Sequence, residues 1–90
     1  MESEVDGWEV FLGLCRRAQD GGGLDELFWL LLTPEEREDI KKRALIVKEL
    51  LKGKKTQRQI AKDLRVSIAK ITRGSNVLKE ISVDLRRLFS

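Results

Sequence analysis

Apolar residues recur three and four positions apart along most of this 90-residue chain, which is the period of an amphipathic α-helix. Over residues 5–19 the pattern predicts a first helix with one packed face. Glycines at positions 21–23 end it, because glycine adopts left-handed backbone dihedrals without steric cost. The stretch LDELFWLLL, residues 24–32, predicts a second, short helix that is apolar on almost every side and should therefore be buried all round.

A third helix opens at the sequence TPEE. Thr33 can cap it, Pro34 occupies a first-turn position that needs no N–H, and Glu36 can close a capping box. The pattern continues to about residue 52, and the glycine that follows ends the helix. Its apolar middle, ALIV, comes directly after Arg43, a cation that must reach solvent or find a partner.

Two further helices are separated by a very short turn. Thr56 and Gln59 form a second capping box, for a helix that runs to about residue 64. Arg65 and the valine after it form the turn, and Ser67 caps a longer helix that continues through RGSN to about residue 79. A last short helix is predicted at residues 83–89. We therefore expect an all-α protein with six helices in a single domain, residues 1–90.

The window of about residues 57–79 is typical of a helix-turn-helix. Its apolar residues predict the contact between the two helices and the turn: Ile60, Ala61, Leu64, Val66, Ile68 and Ile71. A glycine is usual in this turn, whereas the chain has Arg65, for which a left-handed backbone costs about 1 kcal/mol. An ordinary helical hairpin has the same apolar spacing, so the outer face must distinguish the two interpretations.

That outer face is polar and basic: Arg58, Lys62, Ser67, Ala69, Lys70, Thr72 and Arg73. Cations and small hydroxyls suit phosphates, and short side chains suit the edges of bases. The charge distribution points the same way. Residues 1–39 hold eleven acids and three bases, whereas residues 40–90 hold four acids and fifteen bases. A basic half of this kind predicts a surface for a polyanion and favours double-stranded DNA.

The composition also argues against several other functions. Histidine, the commonest general base and metal ligand, is absent, and no carboxylates are paired in an apolar setting, so neither an enzyme nor a metal site is predicted. Cys15 lies in an apolar pattern and is interpreted as a small buried hydrophobe. The longest apolar run, residues 27–32, is far shorter than the roughly 20 residues that span a bilayer. A cytoplasmic protein without membrane contact is expected, since the acidic start does not resemble a signal peptide.

The apolar second helix predicts a partner chain. A chain of this size buries only about 60–65% of the surface that its unfolded form exposes, so it can hardly surround that helix by itself. The middle of the third helix, ALIV, is also apolar on several sides and would likewise need a partner chain to cover it. We therefore expect an intimate homodimer with the third helix at its centre.

Several motifs, in this order and spacing, resemble the bacterial tryptophan repressor family over residues 8–89. The most specific is ITRGSN, followed one residue later by LK, and it is supported by LTPEERE, R-x-x-IV-x-ELL-x-G and TQR. The resemblance implies an all-helical, intertwined homodimer that uses L-tryptophan as co-repressor. With tryptophan bound, it would bind a palindromic operator of tryptophan metabolism genes.

The resemblance also implies a ligand site. Arg43 and Arg73 match the two arginines that hold the indole between them, a contact that contributes roughly 0.5–2 kcal/mol. Arg43 would also meet the tryptophan carboxylate. Gly74 would leave room for the edge of the ring, which gives a reason for its place in a helix, where it costs about 1 kcal/mol relative to alanine.

The remaining ligand residues implied by the family surround the amino group. Leu30 and Leu32 would offer free backbone carbonyls to the ammonium, and Thr33 would line the same pocket, all three from the partner subunit. Val77 stands where some family members have a serine that accepts a hydrogen bond from the ammonium. Valine cannot accept, so recognition of the ammonium would rest on the carbonyls or on water.

On the DNA side, Arg58 matches a family position that can reach a guanine edge. The second helix of the motif would be the recognition helix, and Ile68, Ala69 and Thr72 match its tip and face in the family. Gln57 completes the predicted DNA-binding set. Lys70 replaces a smaller polar residue, and a base stands at Lys62 rather than at the preceding position. Two alternatives stay open: a regulator of the same fold that is tryptophan-independent or answers to another ligand, and a helical module that docks onto an acidic protein.

Overall fold

The structure, a computed structural model, describes residues 5–89 of the chain. This part of the chain contains six α-helices and no strand: α1 (Gly7–Gly21), α2 (Leu24–Leu31), α3 (Pro34–Lys52), α4 (Gln57–Leu64), α5 (Ile68–Leu78) and α6 (Val83–Arg87). The predicted all-α, six-helix fold class is therefore confirmed, and α5 continues through the glycine of RGSN as expected.

The two ends of α1 show how local polar groups set helix boundaries. The helix begins two residues later than predicted because the Asp6 carboxylate accepts hydrogen bonds from the backbone N–H groups of Trp8 and Glu9, at 2.9 and 3.4 Å. It ends at Gly21, two residues later than predicted, and Gly22 closes it in the left-handed conformation, with φ of 77°. The last helix is also shorter than predicted and ends at Arg87.

The predicted starts of α3, α4 and α5 are confirmed by their caps. At α3, the Thr33 backbone N–H donates a hydrogen bond to the Glu36 carboxylate at 2.8 Å, and the Glu36 backbone N–H donates one to the Thr33 hydroxyl at 3.1 Å. The same reciprocal pair joins Thr56 and Gln59 at α4, again at 2.8 and 3.1 Å. At α5 the Ser67 hydroxyl accepts from the Lys70 N–H at 3.3 Å.

The chain divides into two compact units, of which the first ends at Arg37. Within it, α1 packs against α2 through Phe11 and Phe28, whose ring centroids lie 6.1 Å apart. No residue of either helix is buried, and Leu30 is 80% exposed. The predicted burial of the second helix on every side is therefore not achieved within one chain. Cys15, also expected to be buried, is half-buried.

The second unit begins at Glu38 and contains the buried core. Ile46 of α3, Ile60 and Ala61 of α4, and Ile71 of α5 are buried against one another, with Leu50, Leu64 and Val66 packed around them. This confirms the apolar contact predicted between the two helices of the motif. The exception is Ile68, which is 44% exposed rather than buried. As the first residue of α5 it lies at the free end of the helix, turned about 60° away from Ile71.

A close approach of α5 to α3 completes this unit. A Cβ atom built on Gly74 would lie 3.3 Å from Ile46 Cγ2 and 3.6 Å from Leu50 Cδ1. The first distance is tighter than side chains normally accept, and Ile46 is itself buried. Glycine at position 74 therefore lets the backbone of α5 contact α3 directly, which is a second reason for this residue besides the predicted space for a ring.

The turn between α4 and α5 is built around a residue that carries a side chain in a glycine-like conformation. Arg65 has φ of 56° and ψ of 48°, as expected from its place in the motif. Its N–H donates to the Lys62 carbonyl at 3.3 Å, and the Val66 N–H donates to the Ala61 carbonyl at 3.0 Å. The end of α4 is thus closed at the cost of local strain.

Replacement of Arg65 by glycine should therefore stabilise the protein. Relief of the left-handed strain, offset in part by the greater entropy of glycine in the unfolded chain, leaves a net gain of about 0.5–1 kcal/mol. Chemical denaturation measures it. Lys62→Gly removes the same charge from within α4 and should destabilise by about 1 kcal/mol. A loss of stability in Arg65→Gly as large as that of the control would contradict this account of the turn.

Candidate ligand cavity and nucleic-acid interface

A cavity of about 470 Å³ lies within the second unit, lined by residues of α3, α5 and the C-terminal segment. Four of the seven predicted ligand residues line it together: Arg43, Arg73, Gly74 and Val77. Lys70 also lines the cavity, and the other lining residues are apolar: Ile46, Val47, Leu78, Ile81, Leu85 and Phe89. The structure therefore brings three cations to the wall of an otherwise apolar space.

Helical spacing explains how two helices supply this wall. On α5, Lys70, Arg73, Gly74 and Val77 are separated by three, four and seven positions, so they share one face. On α3, Arg43 is followed at the same intervals by Ile46, Val47 and Leu50. The two faces meet where Gly74 approaches Ile46. The contact that allows the helices to pack closely therefore also forms the floor of the cavity.

An acidic residue that the sequence analysis did not single out holds two of these cations. The Asp39 carboxylate accepts a hydrogen bond from Arg43 Nη2 at 3.2 Å, and its other oxygen lies 3.5 Å from Lys70 Nζ. The four-residue spacing from Asp39 to Arg43 is a sequence signal for the first pair. The pair with Lys70 joins α3 to α5 across 31 positions and has no local signal.

The other three predicted ligand residues, Leu30, Leu32 and Thr33, belong to the first unit. Leu30 is exposed, and the Thr33 hydroxyl is engaged in the cap of α3. The Leu32 carbonyl was expected to be free, but it accepts a hydrogen bond from Arg37 Nη1 at 3.0 Å. Arg37 is directed there because its guanidinium also lies over the Trp29 ring, 3.5 Å from the centroid. A second lone pair leaves this carbonyl able to accept one more bond.

The predicted DNA-binding residues form an exposed face on α4 and α5. Eight of the nine are exposed: Arg58, Lys62, Ser67, Ile68, Ala69, Lys70, Thr72 and Arg73. The ninth, Gln57, is half-buried because its side-chain oxygen accepts a hydrogen bond from the Thr72 hydroxyl at 3.2 Å. This bond connects the start of α4 to the middle of α5, so it helps to hold the two helices of the motif in register.

One cation close in sequence to this face is already paired with a carboxylate. Lys55, in the loop before α4, donates a hydrogen bond from Nζ to the Asp63 carboxylate at 2.8 Å. This hydrogen bond, with the charges of Asp63 and Glu49, raises the pKa of Lys55. The ammonium is therefore firmly protonated and held by α4.

Two negative findings concern residues 5–89. No cluster of three or more cysteine, aspartate or glutamate side chains has the arrangement of a metal site. Over the same range, no helix combines the length and apolar character that a membrane crossing requires.

Fold and site together define a class: an all-helical helix-turn-helix protein whose second motif helix also forms part of the wall of a cavity. Residues 6–90 match the family model described as Trp repressor protein. The chain belongs to the Trp repressor family, which is a family of transcriptional repressors rather than enzymes.

Relatives support this membership over most of the chain. A protein named Trp operon repressor homolog from Chlamydia trachomatis serovar D is 50% identical over 83 residues, which are 92% of this chain and 88% of that protein. Proteins of the same name are 49% identical in Chlamydia caviae, over 89% of this chain and 79% of theirs, and 46% identical in Vibrio campbellii, over 90% and 81%. Their shared name gives no support to the alternative of a tryptophan-independent regulator.

Substitution of Gly74 by valine tests the close approach that forms the cavity floor. The added atoms would press on Ile46 and Leu50, so the free energy of unfolding should fall by about 1–3 kcal/mol. Urea denaturation measures the change. Asn76→Val places the same side chain on an exposed position of α5 and should change stability by only a few tenths of a kcal/mol, given similar helix propensities. Equal stability of the two variants would refute the close approach.

Proposed function

We propose that this protein is a DNA-binding repressor that binds a palindromic operator as a homodimer, with L-tryptophan as co-repressor. The observation that carries the proposal is that α5 has two roles. Arg73, Gly74 and Val77 line the cavity, and Ala69 and Thr72, on the adjacent side of the helix, are exposed to solvent. A ligand in the cavity would therefore contact the helix that reads DNA.

The chemistry of the cavity supports an aromatic carboxylate as ligand. Its apolar lining suits an indole ring, and Arg43 and Arg73, from different helices, suit stacking on the two ring faces. A charge-assisted hydrogen bond from Arg43 suits the carboxylate. A volume of about 470 Å³ lies within the usual range for small-molecule sites.

Ligand and DNA would then strengthen each other's binding. A molecule wedged between α3 and α5 favours one position of α5, and DNA favours the same position. Thermodynamic linkage makes the effect reciprocal, with a typical coupling free energy of about 1–3 kcal/mol. Tryptophan metabolism genes are the natural target of such a repressor, which would act in the cytoplasm.

The exposed apolar residues of the first unit support the homodimer. Trp29 and Leu30 of α2 are 60% and 80% exposed, and Trp8 of α1 is 65% exposed. Large apolar side chains exposed on two packed helices favour an interface, and a second copy of the chain would cover them. In the dimer, Leu30, Leu32 and Thr33 of the partner subunit would complete each ligand site.

Dimer symmetry would also fit a palindrome. In helix-turn-helix dimers, among which Trp repressors are already known examples, the two recognition helices enter major grooves about 34–36 Å apart. We treat residues 1–90 as one domain, since a single family model matches residues 6–90.

The first test is a titration of a palindromic operator duplex from a tryptophan operon. Saturating L-tryptophan should raise the affinity about 5- to 150-fold, the range that corresponds to the expected coupling. Fluorescence anisotropy measures it, with a scrambled duplex as control. Sedimentation velocity on the same samples should give twice the 10.4 kDa mass of one chain. Equal operator affinities with and without tryptophan would rule out the co-repressor, and a monomer would rule out the dimer.

The second test concerns the stacking arginine. Arg73→Ala should weaken L-tryptophan binding about 2- to 30-fold, because it removes one cation from the ring face. Isothermal titration calorimetry measures this. Arg58→Ala is the matched control: it removes an exposed arginine of α4 that does not line the cavity, so it should weaken DNA binding and preserve tryptophan binding. An unchanged tryptophan isotherm for Arg73→Ala would remove the stacking argument.

A further inference from the structure

Asp39 lies on α3, one turn before Arg43, and contacts both α3 and α5 at the cavity. We propose that Asp39 is an internal competitor: its carboxylate occupies Arg43 in place of the ligand carboxylate, and Lys70 in place of a DNA phosphate. This inference rests on the proposed function and adds to it an acidic residue that lowers both affinities.

The geometry of the carboxylate supports two simultaneous roles. Oδ2 faces Arg43 Nη2 at 3.2 Å, and Oδ1 faces Lys70 Nζ at 3.5 Å, so each oxygen is used by a different helix. Among the salt bridges of the described residues, Asp39 is the acid that pairs with each of these cations. Both cations line the cavity, whereas Asp39 itself does not.

The chemistry of the two expected ligands explains the competition. A carboxylate ligand and a phosphate are anions that require the same N–H donors Asp39 already holds. Each must therefore displace Asp39 or share the cation with it. Because the pairs are solvent-exposed, each contact is weak enough to be exchanged rather than permanent.

Asp39→Asn tests the proposal, because it removes the charge and keeps the size of the side chain. L-Tryptophan affinity should rise about two- to fivefold, in line with the strength of exposed ion pairs. Operator affinity without tryptophan should rise by a similar factor at low salt. The plot of log affinity against log salt should also become steeper by about 1.8 for the dimer, because Lys70 of each subunit becomes free to neutralise one more phosphate.

Glu38→Gln is the matched control. It removes the same charge from the adjacent position of α3, but its partner, Lys41 at 3.2 Å, lies on the same helix and not on α5. General electrostatic attraction of DNA would affect both variants alike, so Glu38→Gln should change each affinity by less than about twofold and leave the salt slope unaltered.

Lys70→Gln separates the proposed competition for DNA at Lys70 from the proposed competition for tryptophan at Arg43. In the Asp39→Asn background it should cancel the gain in operator affinity and the steeper salt slope. Because Lys70 also lines the cavity, the reference for tryptophan is Lys70→Gln alone, and relative to that variant Asp39→Asn should still raise tryptophan affinity about two- to fivefold. Circular dichroism and sedimentation verify that each variant is folded and has the wild-type mass.

The outcomes distinguish the inference from the function on which it rests. A wild-type protein that fails to bind the operator overturns both. If the wild type binds and Asp39→Asn behaves like Glu38→Gln, only the competitor role is overturned. Weaker tryptophan binding in Asp39→Asn would also overturn it, since Asp39 would then position Arg43 for the ligand. If Asp39→Asn raised operator affinity but not tryptophan affinity, the proposed competition at Arg43 would be overturned.

Discussion

Ile46 of α3 and the backbone of α5 at Gly74 approach each other so closely that a single added carbon atom would lie 3.3 Å from the isoleucine. This contact joins the buried core to the cavity, because Ile46 belongs to the core and also lines the cavity. It also determines how far α5 stands from α3, and hence the width of the cavity. The close approach requires Gly74, and glycine lowers the intrinsic stability of α5 because its helix propensity is poor.

The cavity combines an apolar lining with three cationic side chains, Arg43, Lys70 and Arg73. Asp39 pairs with two of those cations, Arg43 and Lys70. Under the proposed function, an anionic ligand would compete with Asp39 for these two cations and would act on α5 through Lys70. In that proposal a small molecule would influence the DNA-binding surface without contacting a base.

The first unit has a different physical character from the second. Residues 1–37 hold nine of the fifteen acidic residues, and helices α1 and α2 expose large aromatic and aliphatic side chains. Among residues 5–89, the buried ones all come from the second unit. Apolar surface of this extent is costly in water. In the proposed homodimer a second copy of the chain would cover it and would also supply Leu30, Leu32 and Thr33 to the ligand site.

Much of this protein was predictable because its signals are local. The capping boxes of Thr33 and Thr56, the left-handed Arg65 and the inward positions of Ile60 and Ile71 depend on residues at most a few positions apart, so the sequence by itself determined them. Tertiary structure decided the rest. The pairing of Asp39 with Lys70 depends on how α3 and α5 cross, and the engagement of the Leu32 carbonyl depends on the guanidinium of Arg37 being held over Trp29. Helical periodicity specifies which face a residue lies on, but the distance and angle between two faces are set by packing, which no short stretch of sequence contains.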